Sequence, residues 1–128
     1  MYIGTSINES PVIAAKAGAA ITDGAMLAVF MDDTGVKVPA EAGAVAVGLL
    51  IPETETVAVG DDVTIQVKDM GLWKTGAAVA AGELLTPDTA GKATKATDGN
   101  FILAQALDAA TAADQVIRVQ IIKAGYAA

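Results

Sequence analysis

Two pairs of adjacent aspartates, Asp32-Asp33 and Asp61-Asp62, are the residues of this chain most suited to chemistry. Such carboxylates could bind a metal ion or take part in general acid and base catalysis. Adjacent side chains of a strand point to opposite faces, however. Each pair also lies close to a glycine, Gly35 or Gly60, a combination typical of turns. Neither pair belongs to an Asp-x-Asp-x-Asp-Gly loop, so we interpret both as turn formers and expect no metal site.

The remaining residue types exclude most catalytic machinery. The chain has no histidine and no cysteine, so most zinc sites and nucleophilic triads are not available to it. The phrases Gly18-Ala19-Ala20 and Gly76-Ala77-Ala78 fit neither GxxxxGK[ST] nor GxGxxG, so they do not predict phosphate-binding loops. We therefore expect no catalytic residues, no cofactor and no enzymatic activity.

The charge and hydropathy of the chain exclude two classes of partner. The net charge is −7, and the basic residues are scattered, with Arg118 the sole arginine. A nucleic-acid surface needs clustered Lys and Arg, so we expect no nucleic-acid partner. The longest uncharged apolar run, Ala42 to Pro52, is much shorter than the roughly 20 residues that cross a bilayer. The N-terminus does not resemble a secretory signal, and we expect no membrane partner.

The elements that carry these residues occur twice. The stretch from Lys16 to Leu27 returns 58 positions later, from Lys74 to Leu85, with six of twelve residues identical. The similarity of pattern continues, which predicts one domain at 15–128 with two similar units at about 15–68 and 73–123. Residues 1–14 precede the first unit and match nothing in the second.

Short apolar runs separated by turns predict β-strands in both units. Met26 to Met31 is a short run that ends at Asp32-Asp33, and we expect a hairpin from about Met26 to Val38. Val63 to Lys68 alternates apolar and polar residues, which is the clearest strand pattern of the chain. Gln105 to Asp114 is rich in helix formers and fits a helical turn or a loop equally well.

The apolar residues point to contacts between subunits. They make up 53% of the chain, yet only five are aromatic, and alanine is the commonest residue. A core of alanine buries little area per residue, so we expect part of the apolar surface to be buried against other subunits. Trp73 stands beside Leu72 where the first unit has Ala15. It is either a core residue or, with Leu72, part of a subunit interface.

The N-terminal residues 1–14 are the second candidate contact. They are either a frayed terminus or an extended arm that adds to a strand of a partner by β-augmentation. The candidate contact residues of the arm are Tyr2, Ile3, Ile7 and Pro11.

The order and spacing of several phrases resemble the capsid decoration proteins of tailed bacteriophages, also called capsid cement. The phrases are Lys-x-Gly-Ala-Ala-[Ile/Val]-x-x-Gly-x-x-Leu, Val47-Gly48-Leu49, Val59-Gly60-Asp61-Asp62-Val63 and Gln115-Val116-Ile117-Arg118-Val119. The resemblance covers about Lys16 to Ile122. It implies a non-enzymatic virion protein that binds the outer surface of the expanded head.

The resemblance also implies how such a protein would act. It would clamp adjacent major capsid proteins against internal DNA pressure, as a homotrimer, after synthesis in the host cytoplasm. In related decoration proteins the N-terminal segment pairs with a capsid strand. Residues 1–14 occupy the same place in this chain, so the resemblance implies such an arm. With the strand pattern, the expected fold is mainly β: a compact small barrel or sandwich, β-clip or β-tulip-like, built from two similar units with at most one short helix.

Two other functions are compatible with a small β domain. A carbohydrate- or host-surface-binding module on a virion would need an exposed aromatic platform, for which five aromatic residues are a poor supply. A small enzyme or ligand-binding domain would need converging carboxylates in a pocket, and the sequence shows none.

Overall fold

A computed structural model describes residues 10–22, 26–52, 54 and 56–128. The predicted contact residues Tyr2, Ile3 and Ile7 lie outside this part of the chain. The described residues form ten strands and no helix: β1 (Val12–Lys16), β2 (Ala28–Asp32), β3 (Gly35–Lys37), β4 (Gly48–Ile51), β5 (Asp62–Gln66), β6 (Asp69–Lys74), β7 (Leu84–Pro87), β8 (Ala93–Lys95), β9 (Ala104–Ala106) and β10 (Val116–Ile121). No described segment is therefore a membrane-spanning helix.

The strands form two antiparallel sheets of five strands with equivalent topology. Their orders are β1-β5-β4-β2-β3 and β6-β10-β9-β7-β8. Isolated bridges correspond as well: Ile21 pairs with Val57 in the first unit as Val79 pairs with Ala110 in the second. The mainly β prediction with two similar units is confirmed. The prediction left open a barrel or a sandwich. The two sheets do not close into a barrel, and they are compatible with a sandwich.

The predicted hairpin is present, and its turn depends on an aspartate. β2 pairs with β3 through Met31 opposite Val36. The Asp32 carboxylate accepts hydrogen bonds from Thr34 Oγ1 at 2.7 Å and Thr34 N at 2.8 Å, and pairs with Lys37 at 2.9 Å. These contacts, above all the Thr34 hydroxyl, hold the pKa of Asp32 well below its usual range. Asp61 likewise accepts from Ala58 N at 2.9 Å, so both residues shape turns.

Two apolar cores lie against the sheets. Val63 and Ile65 of β5 point into the first, as their alternation predicts. The second core surrounds Trp73 and also contains three residues of the first unit, Ala28, Ala46 and Leu49. Residues of both units therefore build the second core.

The first strand begins inside the segment predicted as an arm. Val12, Ile13 and Ala14 pair with Gln66, Ile65 and Thr64 of β5, and Pro11 O accepts a hydrogen bond from Val67 N at 2.8 Å. An arm over 1–14 thus overlaps β1, because these backbone groups are already paired within the subunit. A free arm has to end before Pro11.

The helical alternative for Gln105 to Asp114 does not occur. Gln105 and Ala106 belong to β9, and Ala110 forms a two-way backbone bridge with Val79. The preference of alanine for a helix is weak. It is outweighed here because Ala106 and Ala110 are buried against the second sheet.

Candidate functional site

An apolar groove of about 540 Å³ lies where β4 of the first unit approaches β6 of the second. Its polar side chains are Gln66 and Arg118. The apolar residues that line it are Met26, Leu49, Leu50, Ile51, Pro52, Met70 and Leu72, with Gly71. Met70 and Leu72 are 53% and 47% exposed, so the groove is open to solvent. It offers apolar contact and no converging carboxylates.

One wall of the groove is formed by an edge strand. β6 is the outermost strand of its sheet, and Leu72 lies opposite Arg118 of β10. The backbone of Arg118 bonds in the other direction, since its carbonyl accepts from Leu107 N and its N–H donates to Asp108. Leu72 and Arg118 are thus a non-hydrogen-bonded pair, and the Leu72 N–H and C=O point away from β10.

The neighbours of Leu72 on this edge are already occupied. Lys74 N donates to Met26 O at 2.9 Å, and Met70 O accepts from Gln66 Nε2. Leu72 between them has no backbone partner in the described part of the chain. The unpaired backbone of this edge is therefore limited to Leu72, which is too short a stretch for a further strand to pair along it.

Further exposed apolar residues lie on the face of the second sheet that carries Met70 and Leu72. Met70, Leu72 and Val116 lie on the solvent side of β6 and β10, and Leu84 and Leu107 extend the surface. We call these five residues the apolar face. Polar side chains stand between them, since Gln105 and Gln120 lie between Leu84 and Met70, and Arg118 lies between Leu72 and Leu107. A mixed surface with several exposed apolar side chains has the composition of an ordinary protein interface.

Arg118 is held at the rim of the groove by a fork-shaped contact with one carboxylate. Its Nη2 and Nε donate to Asp108 at 2.8 and 3.0 Å, and its backbone N donates at 3.1 Å. The side-chain bond from Arg118 is the main cause that lowers the pKa of Asp108 to about 2. The guanidinium is therefore held in one orientation although its side chain is 59% exposed.

We expect Asp108→Asn to reduce the acid sensitivity of the fold. A lowered carboxyl pKa stabilises the folded state above the unfolded pKa of about 3.9, and that contribution is lost as pH falls through about 2. The variant should melt below wild type at pH 5, and the gap should narrow as the pH falls from about 4 to 2 and close below pH 2. Thermal melts followed by circular dichroism measure it. Asp98→Asn, at an exposed turn, is the control, and a gap that stays constant with pH would contradict the assignment.

The two predicted interface residues have opposite environments. Leu72 is half exposed on the apolar face, whereas Trp73 is 0% exposed. The Trp73 indole donates to Gly91 O at 2.9 Å, and the same carbonyl accepts from Ala28 N of the first unit at 2.7 Å. Trp73 therefore joins the two units from inside, and of the predicted pair only Leu72 has surface for a second subunit.

The sequence reasoning missed Met70, Ile51 and Arg118 as members of a surface. Met70 and Leu72 alternate with Gly71 and Trp73, which is the period of a strand with one face inside and one outside. This alternation predicts the exposed side chains of the apolar face from the sequence. It does not predict the groove, because Ile51 belongs to a strand of the other unit.

The acidic side chains of the described residues do not gather at one place. Among residues 10–22, 26–52, 54 and 56–128, no three acidic side chains come together in a way that could hold a metal ion. Asp62, from one predicted pair, instead forms an ion pair with Lys16 at 2.6 Å.

Comparison with known proteins shows the family to which the chain belongs. No curated protein matches it. Its fold is similar to the crystal structure of the head fiber gp8.5 N base of bacteriophage phi29, with a TM-score of 0.61, 16% identity, and 91% of this chain and 98% of that chain covered. The model of the phage cement protein family matches residues 44–121, more than half of the chain. We conclude that the chain belongs to the phage cement protein family and is a structural protein of a phage capsid.

Proposed function

We propose that this protein binds the outer surface of the expanded phage head and clamps adjacent major capsid proteins against internal DNA pressure. The observation that carries the proposal is the apolar face, with Leu72 exposed on the edge strand β6. A protein that binds only the expanded shell stabilises that state by mass action and needs no catalytic group. Membership in the cement family supports the same role.

The proposed assembly is a homotrimer. Three copies around an axis would bury apolar side chains such as Leu72 and Val116, which are half exposed in the single chain. The N-terminal arm, with Tyr2, Ile3 and Ile7, is proposed to contact the capsid. The acidic surface, with a net charge of −7, would keep the free protein soluble.

Leu72→Asp tests this function. A charge within an apolar interface removes a contact and adds a desolvation cost, and we expect binding to expanded heads to fall about 30-fold, or about 2 kcal/mol. The measurement is co-sedimentation of purified protein with heads that lack it. Heads decorated with the variant should also lose DNA at a lower temperature than heads decorated with wild type.

Val59→Asp is the matched control. Val59 is 67% exposed and lies outside the groove and the apolar face, so the same substitution should leave binding unchanged. Unchanged folding of both variants is verified by circular dichroism. If Leu72→Asp binds heads as wild type does, or if heads without the protein are as stable as decorated heads, the proposal is wrong.

The carbohydrate-binding alternative gains no support from the described surface. Trp73 and Phe101 are buried, and Tyr126, 64% exposed, packs by its edge against Phe101 with centroids 5.9 Å apart. A glycan-binding platform usually needs exposed aromatic faces, and these residues do not form one.

A further inference from the structure

An exposed turn of the second unit contains the sequence Asp98-Gly99. Asn100 N donates to Thr97 O at 2.9 Å, the φ of Gly99 is +85°, and the φ of Asp98 is negative. These features define a type II turn with glycine at its third position. Asp98 and Gly99 are both exposed, so water reaches the peptide bond that joins them.

The segment that follows β10 is bonded to this turn. We call residues 122–127 the strap. Gly99 N donates to Ala127 O at 2.8 Å, and Ala127 N donates to Asn100 O at 2.8 Å. The strap therefore holds the amide hydrogen of Gly99.

An aromatic pair keeps the strap in place. Tyr126 forms an isolated β-bridge with Phe101, and the two rings meet edge to face. Phe101 is buried, whereas Tyr126 is 64% exposed. Opening of the strap exposes little apolar surface, and segments of this kind open locally without unfolding of the domain.

An Asp-Gly sequence can rearrange with water as the one other reactant. The Gly99 nitrogen attacks Cγ of Asp98, a succinimide ring closes, and the amide hydrogen leaves with a carboxyl hydroxyl as one water. Hydrolysis returns the water and gives either aspartate or isoaspartate, in which the main chain runs through the side chain of the residue. Glycine permits the attack because it has no Cβ, and nothing lies within 4 Å of the place that a Cβ of Gly99 would take.

The turn and the strap both oppose this attack. Ring closure needs Cβ of Asp98 and N of Gly99 to be eclipsed about the bond between them, whereas the ψ of about +120° at the second position of a type II turn holds them apart. The amide hydrogen that has to leave is bonded to Ala127 O. The reaction therefore requires the strap to open and the turn to change its conformation.

We propose that Asp98-Gly99 is a modification site, at which isoaspartate forms when the strap opens and is suppressed while the strap is bound. Isoaspartate adds one carbon atom to the main chain, so the modified turn no longer presents Gly99 N to Ala127 O in the same register. The strap would then bind less firmly. The modification belongs to the subunit itself and does not depend on the proposed capsid function.

Mass spectrometry of the full chain tests the proposal. Trypsin releases residues 96–118 as one peptide, which contains Asp98 and separates it from Asp23-Gly24, the other Asp-Gly sequence. Electron-transfer fragmentation distinguishes isoaspartate from aspartate. After weeks in mildly acidic buffer, the folded chain should contain at least about tenfold less isoaspartate at position 98 than the chain unfolded in guanidinium chloride, because only the open fraction reacts.

Tyr126→Ala should release the strap within the folded chain. We expect the isomerisation rate at position 98 to rise about two- to tenfold, the effect of an aromatic pair on an opening equilibrium. Val59→Ala, at an exposed position of the first unit, should leave the rate unchanged. Asp98→Glu combined with Tyr126→Ala should abolish the isomer, because glutamate would have to close a larger ring.

Ala127→Pro is the second strap variant, because it removes the N–H that donates to Asn100 O. Circular dichroism verifies that each variant is folded. Equal rates in the folded and unfolded wild-type chain would overturn the proposal, as would the absence of isoaspartate at position 98 from the unfolded chain. Unchanged rates in both strap variants would show that the strap does not control the site, which also overturns it.

Discussion

Trp73→Ala should lower the free energy of unfolding by about 3–5 kcal/mol, the usual cost of removing a large aromatic side chain from a core. Trp73 is fully buried, and its indole shares the Gly91 carbonyl with Ala28 N. Its loss would leave a cavity in the core that both units line. Urea unfolding followed by circular dichroism measures the change.

Trp73→Phe separates packing from hydrogen bonding at this position. Phenylalanine keeps much of the buried aromatic volume and removes the donor, while Gly91 O retains Ala28 N, so we expect a loss of about 1–2 kcal/mol. A loss below about 1 kcal/mol for Trp73→Ala would mean that the indole does not hold the units together.

Gly48→Ala should destabilise the chain by about 3 kcal/mol, the upper end of the usual cost of added atoms in a packed site. A Cβ at Gly48 would overlap Gln66 O and lie 3.0 Å from Ile65 Cγ2. The nearest atom is backbone of the paired strand β5, so it can move only if β4 and β5 separate. Chemical denaturation measures the loss.

Gly71→Ala is the matched control because the added Cβ would meet the same residue differently. Its nearest neighbour would be Gln66 Oε1 at 2.8 Å, which is the end of a flexible side chain. We expect a clearly smaller loss of stability than for Gly48→Ala. Equal losses in the two variants would show that the backbone contact at Gly48 is not the cause.

Local patterns predicted the parts of the fold that depend on local physics. The hairpin at Met31 and Val36 follows from an apolar run that ends in an aspartate turn, whose hydrogen bonds are made within a few residues. The alternation of Val63 and Ile65 follows from the period of a strand. The helical alternative at Gln105 failed because the pairing of β9 with β7 and β10 is not encoded locally.

The sequence by itself determined a mainly β chain of two similar units, without histidine or cysteine and with an acidic surface, because composition, strand period and turn residues act over short distances. Only the tertiary structure decided where Trp73, which replaces Ala15 of the first unit, and its neighbour Leu72 lie. Leu72 and Trp73 are adjacent in sequence, yet one faces the groove and the other joins the two units from inside. The groove exists because Ile51 of one unit approaches Met70 of the other, and such a juxtaposition depends on how two sheets pack.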